Sequence, residues 1–452
     1  MKERTCTLHS FSTYLKQGFG LRRQARQMAD ARRDPEIFPA SVFLALFHTF
    51  VFRLPSVQQL DAELSHTYLQ NWIGAERAFR DDTLRYSLCS FHLEPLEQML
   101  VEVNRRLKRR KALDAGRVQG RLVAALDGIE VLSSFSRCCE TCLQHRVSVK
   151  EERGQSREQI QYDHRAVGCQ IVSRPVKPFL AIEWLRPGEG EDTAALRLLA
   201  RLPELCGSRF FDILLLDSLY AQAPVLQWAQ KIGWDVVMTL KQEKRDLYQD
   251  ALGLFQVRGP DQIFTEFQPG KTYAVRLWEE SGLPFTRDHP QPVRVVRTQE
   301  EVTETHYRGD RKQTETTSQE WVWMTTLPPS FRAPVVRRLG HDRWKNENNG
   351  WMDLTQHWAF KHGFLHACRH RPRCRQPSGE RPRVPNHGLA AVTLILLIAF
   401  ALCSAFVLRH SKLARRDHLT ALAVAAQLRS GTSKAPPSIR APTEPTSEHN
   451  LV

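Results

Sequence analysis

Three acids define the chemistry this chain could perform. Asp127 closes the apolar run within residues 121–130, RLVAALDGIE, and Asp217 closes the one within residues 211–220, FDILLLDSLY. Glu347 lies far downstream in residues 343–358, RWKNENNGWMDLTQHW, a helical pattern rich in Trp, Asn and basic residues. The other carboxylate of that stretch, Asp353, falls on a different helix face. Two strands that each deliver an Asp at the carboxyl end, and a later helix that delivers a Glu, form an acidic triad able to hold two divalent metals. Close carboxylates repel unless a cation sits between them. Magnesium takes carboxylate oxygens and keeps several waters, so it suits an open site that admits phosphate. The plain alternative is that each Asp merely ends a strand and caps a turn.

The neighbours of Glu347 sharpen this reading. Arg343 lies four residues earlier, on the same helix face, placed to bind a phosphate or hold the Glu carboxylate. A surface Arg/Glu pair is the simpler alternative. Asn346, Asn348 and Asn349 are poor helix formers, which suits polar contacts to substrate or a frayed helix start. The candidate substrate contacts are Arg343, Lys345, Asn348 and, just after an apolar strand pattern, Lys241. Trp344, Trp351 and Trp358 recur at sevens on one stripe, a spacing that belongs more often to a core than to a base-stacking platform.

A second constellation is Cys138, Cys139, Cys142 and His145, in which Cys139 and Cys142 have zinc-ligand spacing. Cys368, His370 and Cys374 are candidates for the other half of such a site; reduced thiols in a loop are the alternative. No Walker-type phosphate loop and no GxSxG elbow occurs, so ATP use and serine hydrolysis lack a motif.

The elements that must position these residues follow from periodicity. Residues 1–120 read as helical, with a buried helix at 38–52, helical periodicity at 56–69, and an amphipathic helix at 96–113 that turns strongly basic between Arg105 and Lys111. That basic run is either a DNA-contacting surface or a solvated face. Strands are expected at 122–126, 166–172 and 179–184 as an antiparallel meander, then a helix at 193–205 with Asp192 as cap and Gly207 as stop. A buried strand at 213–216, a helix at 224–232 and a strand at 236–240 complete a mixed sheet with helices on both faces. A short helix is expected at 243–255. Residues 256–327 then read as a β-rich insertion, with strands at 275–278, 293–297 and 321–325. Helical pattern returns over 335–360.

Residues 388–408 are uncharged, and those 21 residues would reach roughly 30 Å as a helix, enough to cross a bilayer. Their Ala-rich content favours a helix buried under the sheet over a membrane span. The 452 residues suffice for several domains, and 42% hydrophobic content suits a globular protein. A net charge of +15 favours a polyanionic partner, nucleic acid or an anionic membrane, over a mere solubility bias. Ten irregularly spaced cysteines and an N-terminus without an apolar core point to a reducing, cytoplasmic compartment.

The stretches around the three acids, LDGIEVLSSFSRCCETCLQHRV, FDILLLDSLYAQAPVLQWAQKIGWDVVMTLKQEKRDLYQDA and DRWKNENNGWMDLTQHW, resemble DDE transposases of bacterial insertion sequences. The closer likeness is to the group whose RNase H-like domain is interrupted by a β-rich insertion before the glutamate, and it covers residues 120–410. The resemblance implies an α/β, RNase H-like core: a helical N-terminal DNA-binding region at 1–120, catalytic parts at 121–255 and 328–428, the insertion at 256–327, and a disordered tail at 429–452. It implies Asp127, Asp217 and Glu347 as catalytic ligands of two Mg²⁺ or Mn²⁺ ions. It also implies cut-and-paste transposition at the terminal inverted repeats of double-stranded DNA, joining to target DNA, and a homodimer when two ends are paired. In many relatives a Tyr and a Lys flank the Arg and Glu; here those positions are Gly340 and Leu354, which puts their contacts to the element's end in doubt. A catalytically inactive DNA-binding relative is the alternative function.

Overall fold

The computed structural model describes residues 7–150, 156–172, 176–241, 246–287, 290–308, 311–344, 350–362, 365, 387–410 and 420–431. The first seven helices are α1 (Leu8–Phe19), α2 (Leu21–Ala25), α3 (Pro39–Val51), α4 (Val57–Leu64), α5 (Thr67–Ile73), α6 (Asp81–Cys89) and α7 (Glu94–Arg109). Local chemistry sets their ends. Thr7 opens α1 with a capping box, Pro39 opens α3, and Gly20 and Gly74 stop α1 and α5 in the left-handed region.

A mixed sheet follows, with strands β1 (Val123–Ser134), β2 (Leu143–Lys150), β3 (Ser156–Ile171), β4 (Phe179–Trp184), β5 (Ile213–Leu216) and β6 (Asp235–Thr239). Helix α8 (Glu191–Cys206) joins β4 to β5, and α9 (Ala223–Ile232) joins β5 to β6. Strand β3 pairs antiparallel with β1 and β4, whereas β1, β5 and β6 run parallel. The core order β4-β3-β1-β5-β6 is the expected RNase H-like arrangement, and the chain is an α/β protein. Ile213, Leu214, Leu215 and Leu216 are buried on both faces, as a central parallel strand requires. Two sequence readings are corrected. Strand β1 does not stop at Leu126 but runs on to Ser134, and β2 forms where the sequence pattern gives no strand. The bulged extension of β1 mixes Ile129, Val131 and Leu132 with Gly128, Glu130 and two serines and is mostly half-buried, so it lacks the unbroken apolar run that marks residues 122–126.

After α10 (Asp246–Gln256) the insertion forms four strands: β7 (Gln262–Gln268), β8 (Lys271–Pro284), β9 (Pro292–Arg308) and β10 (Arg311–Thr325). It continues the same sheet, because Trp323 in β10 pairs with Thr239 in β6. Helix α11 (Ala333–Asp342) returns the chain to the core. It is anchored by Arg337, which donates to both oxygens of buried Glu300 in β9 at 2.9 and 2.8 Å and to Glu266 in β7 at 2.6 Å.

The apolar helix Gly388–Arg409 is a buried core helix rather than an exposed span: 83% of its most apolar 18-residue window is inside the protein. It lies among α1, α3, α6 and α7 rather than flat beneath the sheet, and it meets the sheet through Phe400, whose ring is 6.3 Å from Phe179. The basic run at the end of α7 is also partly internal. Arg105 donates to the Leu205 carbonyl, and Lys108 to the Phe210 carbonyl at 2.7 Å, so these side chains fasten the helical part to the sheet part. Arg201 joins the same seam by bonding Glu97 of α7 and Glu183 of β4. Among the described cysteines, Cys89 is disulfide-bonded.

Candidate active site

The register of the parallel strands builds the site. Val123, Ala124 and Ala125 pair with Ile213, Leu214 and Leu215. Continued by two residues, that register sets Asp127 opposite Asp217. Strand β5 ends at Leu216, and Asp217 turns the chain into a short 3-10 helix by accepting from the Ser218 N–H at 2.7 Å. Asp127 accepts from the Gly128 N–H at 3.1 Å. Both carboxyls therefore stand where the strand pair opens, at the switch point of an α/β sheet, where such folds place ligands.

Arg343, the residue that closes α11, reaches this point. Its terminal nitrogens lie 3.9 Å from Asp127 Oδ1 and 3.9 Å from Asp217 Oδ1, and its side chain is 4% exposed. At that separation the guanidinium neutralises both acids without the 2.7–2.9 Å contacts of a tight charge-assisted pair. Its Nε is buried with no hydrogen-bond partner. Trp344 packs on the guanidinium at 4.6 Å, and Lys241, at the carboxyl end of β6, lies 5.4 Å from the same indole. A cleft of about 520 Å³ opens here, lined by Asp127, Glu130, Asp217, Arg343, Trp344 and Lys361 among others.

Of the sequence-predicted residues, Asp127, Asp217, Arg343 and Lys241 come together. Lys345, Glu347 and Asn348 lie outside the described residues. Both flanks of Glu347 are described, and both line this cleft: Arg343 on one side, Trp351 on the other. Trp351 and Trp358 are core residues, with Trp351 packed 4.3 Å from Phe179, and Trp351 shares the lining of the cleft with Trp344.

Gly340 and Leu354, the two departures from the sequence pattern noted above, have a packing explanation. A β-carbon at Gly340 would stand 2.2 Å from Trp323 Nε1, so α11 can lie on β10 only without a side chain there. Leu354 is fully buried, where an ammonium would lose its water.

One acid escaped the sequence reading. Glu191, in the first turn of α8, points its carboxyl at Gly128, where an added β-carbon would be 2.3 Å away. It accepts a 2.6 Å hydrogen bond from the Tyr220 hydroxyl. Burial, then the charges of Glu191, Asp127 and Asp217, raise the Tyr220 hydroxyl well above its ordinary value, so it stays a donor. An acid in a first helical turn reads from sequence as a helix-dipole partner, which hid this role.

The cysteine constellation is corrected. Cys139 and Cys142 do approach each other, but the histidine beside them is His164 of β3. His145 faces Asp163 at 3.2 Å, and Cys138 is exposed. Cys368, His370 and Cys374 lie outside the described residues.

No family model matches the chain, and no curated protein matches it. Among solved structures it is similar to a cryo-EM structure of a piggyBac transposase synaptic complex with hairpin DNA. The likeness covers 95% of this chain and 80% of that one at 10% identity, with a TM-score of 0.37. At that score it decides neither fold nor activity.

Proposed function

We propose that this chain is a transposase: a metal-dependent polynucleotidyl transferase that cleaves DNA at the ends of an insertion sequence and joins the freed strands to target DNA. The observation that carries the reading is the strand register that sets Asp127 against Asp217, with Arg343 drawn in between them. Such a paired-acid centre suits hard cations. Its donors are carboxylate oxygens, and the two side chains remain 17% and 30% exposed, leaving room for bound water. Asp127, Asp217 and Glu347 would hold two Mg²⁺ or Mn²⁺ ions. When bound, these supply an activated water or 3′-hydroxyl and stabilise the leaving 3′-oxygen.

The chain's own groups do the rest. Arg343 keeps a fixed positive charge beside the acids and offers donors to a phosphate. Tyr220 holds the Glu191 carboxyl in place. Lys361 lines both the acidic cleft and a second cavity that carries Arg85, Arg137 and His362. A DNA backbone leaving the acidic centre would find cations along that path, and binding would weaken steeply with salt. Lys241, Lys345 and Asn348 would add contacts nearer the scissile bond. A dimer that pairs two DNA ends belongs to the same reading.

The test is a supercoiled plasmid carrying the coding region with its native flanks, incubated with the protein and Mg²⁺ or Mn²⁺. Nicking that is lost in Asp127→Asn and Glu347→Gln, with DNA retention unchanged, is the expected result. Retention without nicking by the unmodified protein would replace this proposal with a non-catalytic DNA-binding relative. Failure to retain DNA at low salt would sink both.

A further inference from the structure

Outside the acidic cleft, one cluster has the chemistry and the spacing of a metal centre. Cys139 and Cys142 lie in the turn between β1 and β2, and His164 reaches them from β3. Cys139 Sγ is 3.5 Å from Cys142 Sγ and 3.2 Å from His164 Nε2, and Cys142 Sγ is 3.4 Å from His164 Nε2. A tetrahedral zinc with Zn–S near 2.3 Å and Zn–N near 2.0–2.1 Å sets edges of about 3.8 Å between sulfurs and about 3.5 Å from sulfur to nitrogen. The three atoms thus outline one face of such a tetrahedron to within about 0.3 Å. The sulfurs are too far apart for a disulfide, whose bond is about 2.05 Å. A redox pair would not need an imidazole nitrogen nearly equidistant from both.

The surroundings hold the three ligands in place. His164 and Cys142 are buried at 8% and 4% exposure, and the Cys139 N–H donates to Cys142 Sγ at 3.2 Å. The His164 ring is held edge-on against Trp184, with centroids 6.3 Å apart. Thiolate and imidazole are the ligands that select zinc over magnesium or calcium.

We infer that Cys139, Cys142 and His164 bind one zinc ion, which ties the β1–β2 turn to β3. The fourth position goes to a water molecule. Zinc there clamps the outer half of β1, the strand that carries Asp127 on its inner half. The site is independent of the DNA-cleaving proposal and stands or falls without it.

Full-length protein, made in zinc-supplemented cells and purified without a metal-affinity tag, is analysed for metal content. Wild type and Cys138→Ser are expected to carry the same zinc, and Cys142→Ser and His164→Ala each about one equivalent less. If those variants do not fold, wild type alone decides. Stripped with a chelator and titrated with Co²⁺, it gains intense tetrahedral d–d bands and a thiolate-to-cobalt charge-transfer band, both displaced by zinc. Absence of these bands in folded wild type, unchanged zinc in His164→Ala, or a Cys139–Cys142 disulfide found by mass spectrometry overturns the inference.

Discussion

Substituting Glu300→Gln tests how the insertion holds the residue that reaches the acidic cleft. The Glu300 carboxyl is fully buried in β9 and accepts from Thr298 at 2.7 Å, from both sides of the Arg337 guanidinium and from His341 at 3.0 Å. Burial alone would raise its carboxyl, but the His341 and Arg337 contacts outweigh it and bring it down to about 2 from an ordinary 4.5. A depressed carboxyl stabilises the fold above its unfolded value and loses that contribution as pH falls through its folded value. The contribution is therefore about 3 kcal/mol at pH 7, roughly half that at pH 3, and nearly gone below pH 2. Urea unfolding of wild type and variant, followed by tryptophan fluorescence, measures it; the Trp321 and Trp323 rings lie 5.3 and 5.1 Å from His341 and report locally. The stability gap is expected to be about 3 kcal/mol at pH 7, within the range for breaking a buried pair, and to halve at pH 3. A gap under about 1 kcal/mol at pH 7, or one that stays constant with pH, refutes the reasoning. Since α11 ends at Arg343, the variant should also lose nicking under conditions where it is still folded.

Two further substitutions probe the site's packing. Gly340→Ala drives a methyl into the Trp323 indole and is expected to cost about 1–3 kcal/mol, visible as a lowered thermal midpoint; an unchanged midpoint would mean that α11 is not seated on β10. Glu191→Gln keeps an acceptor for Tyr220 but removes the charge beside Gly128, and is expected to lower nicking by about 10- to 100-fold with DNA retention intact. Full activity would remove Glu191 from the site.

Local pattern carried much of this molecule. The apolar runs ending at Asp127 and Asp217, the stop at Gly207, and the uncharged stretch at 388–408 all declared themselves through hydrophobicity and backbone preference. Those signals act within a few residues, so one chain suffices to read them. They also make the α/β class and the β-rich interruption legible. What they could not carry was partnership across the chain. His164 joins cysteines 22 and 25 residues away, and Glu191 joins Tyr220 29 residues away, through strand pairing and helix packing that no periodicity encodes. Gly340 is an unexplained small residue in a helical pattern until Trp323 is seen filling its place. The sequence by itself determined that the two strand-end acids and the cysteine pair could do chemistry. The tertiary structure decided which of them meet, because register and packing are set by the joint burial of distant segments, and a shift of one residue in a strand turns every side chain to the other face.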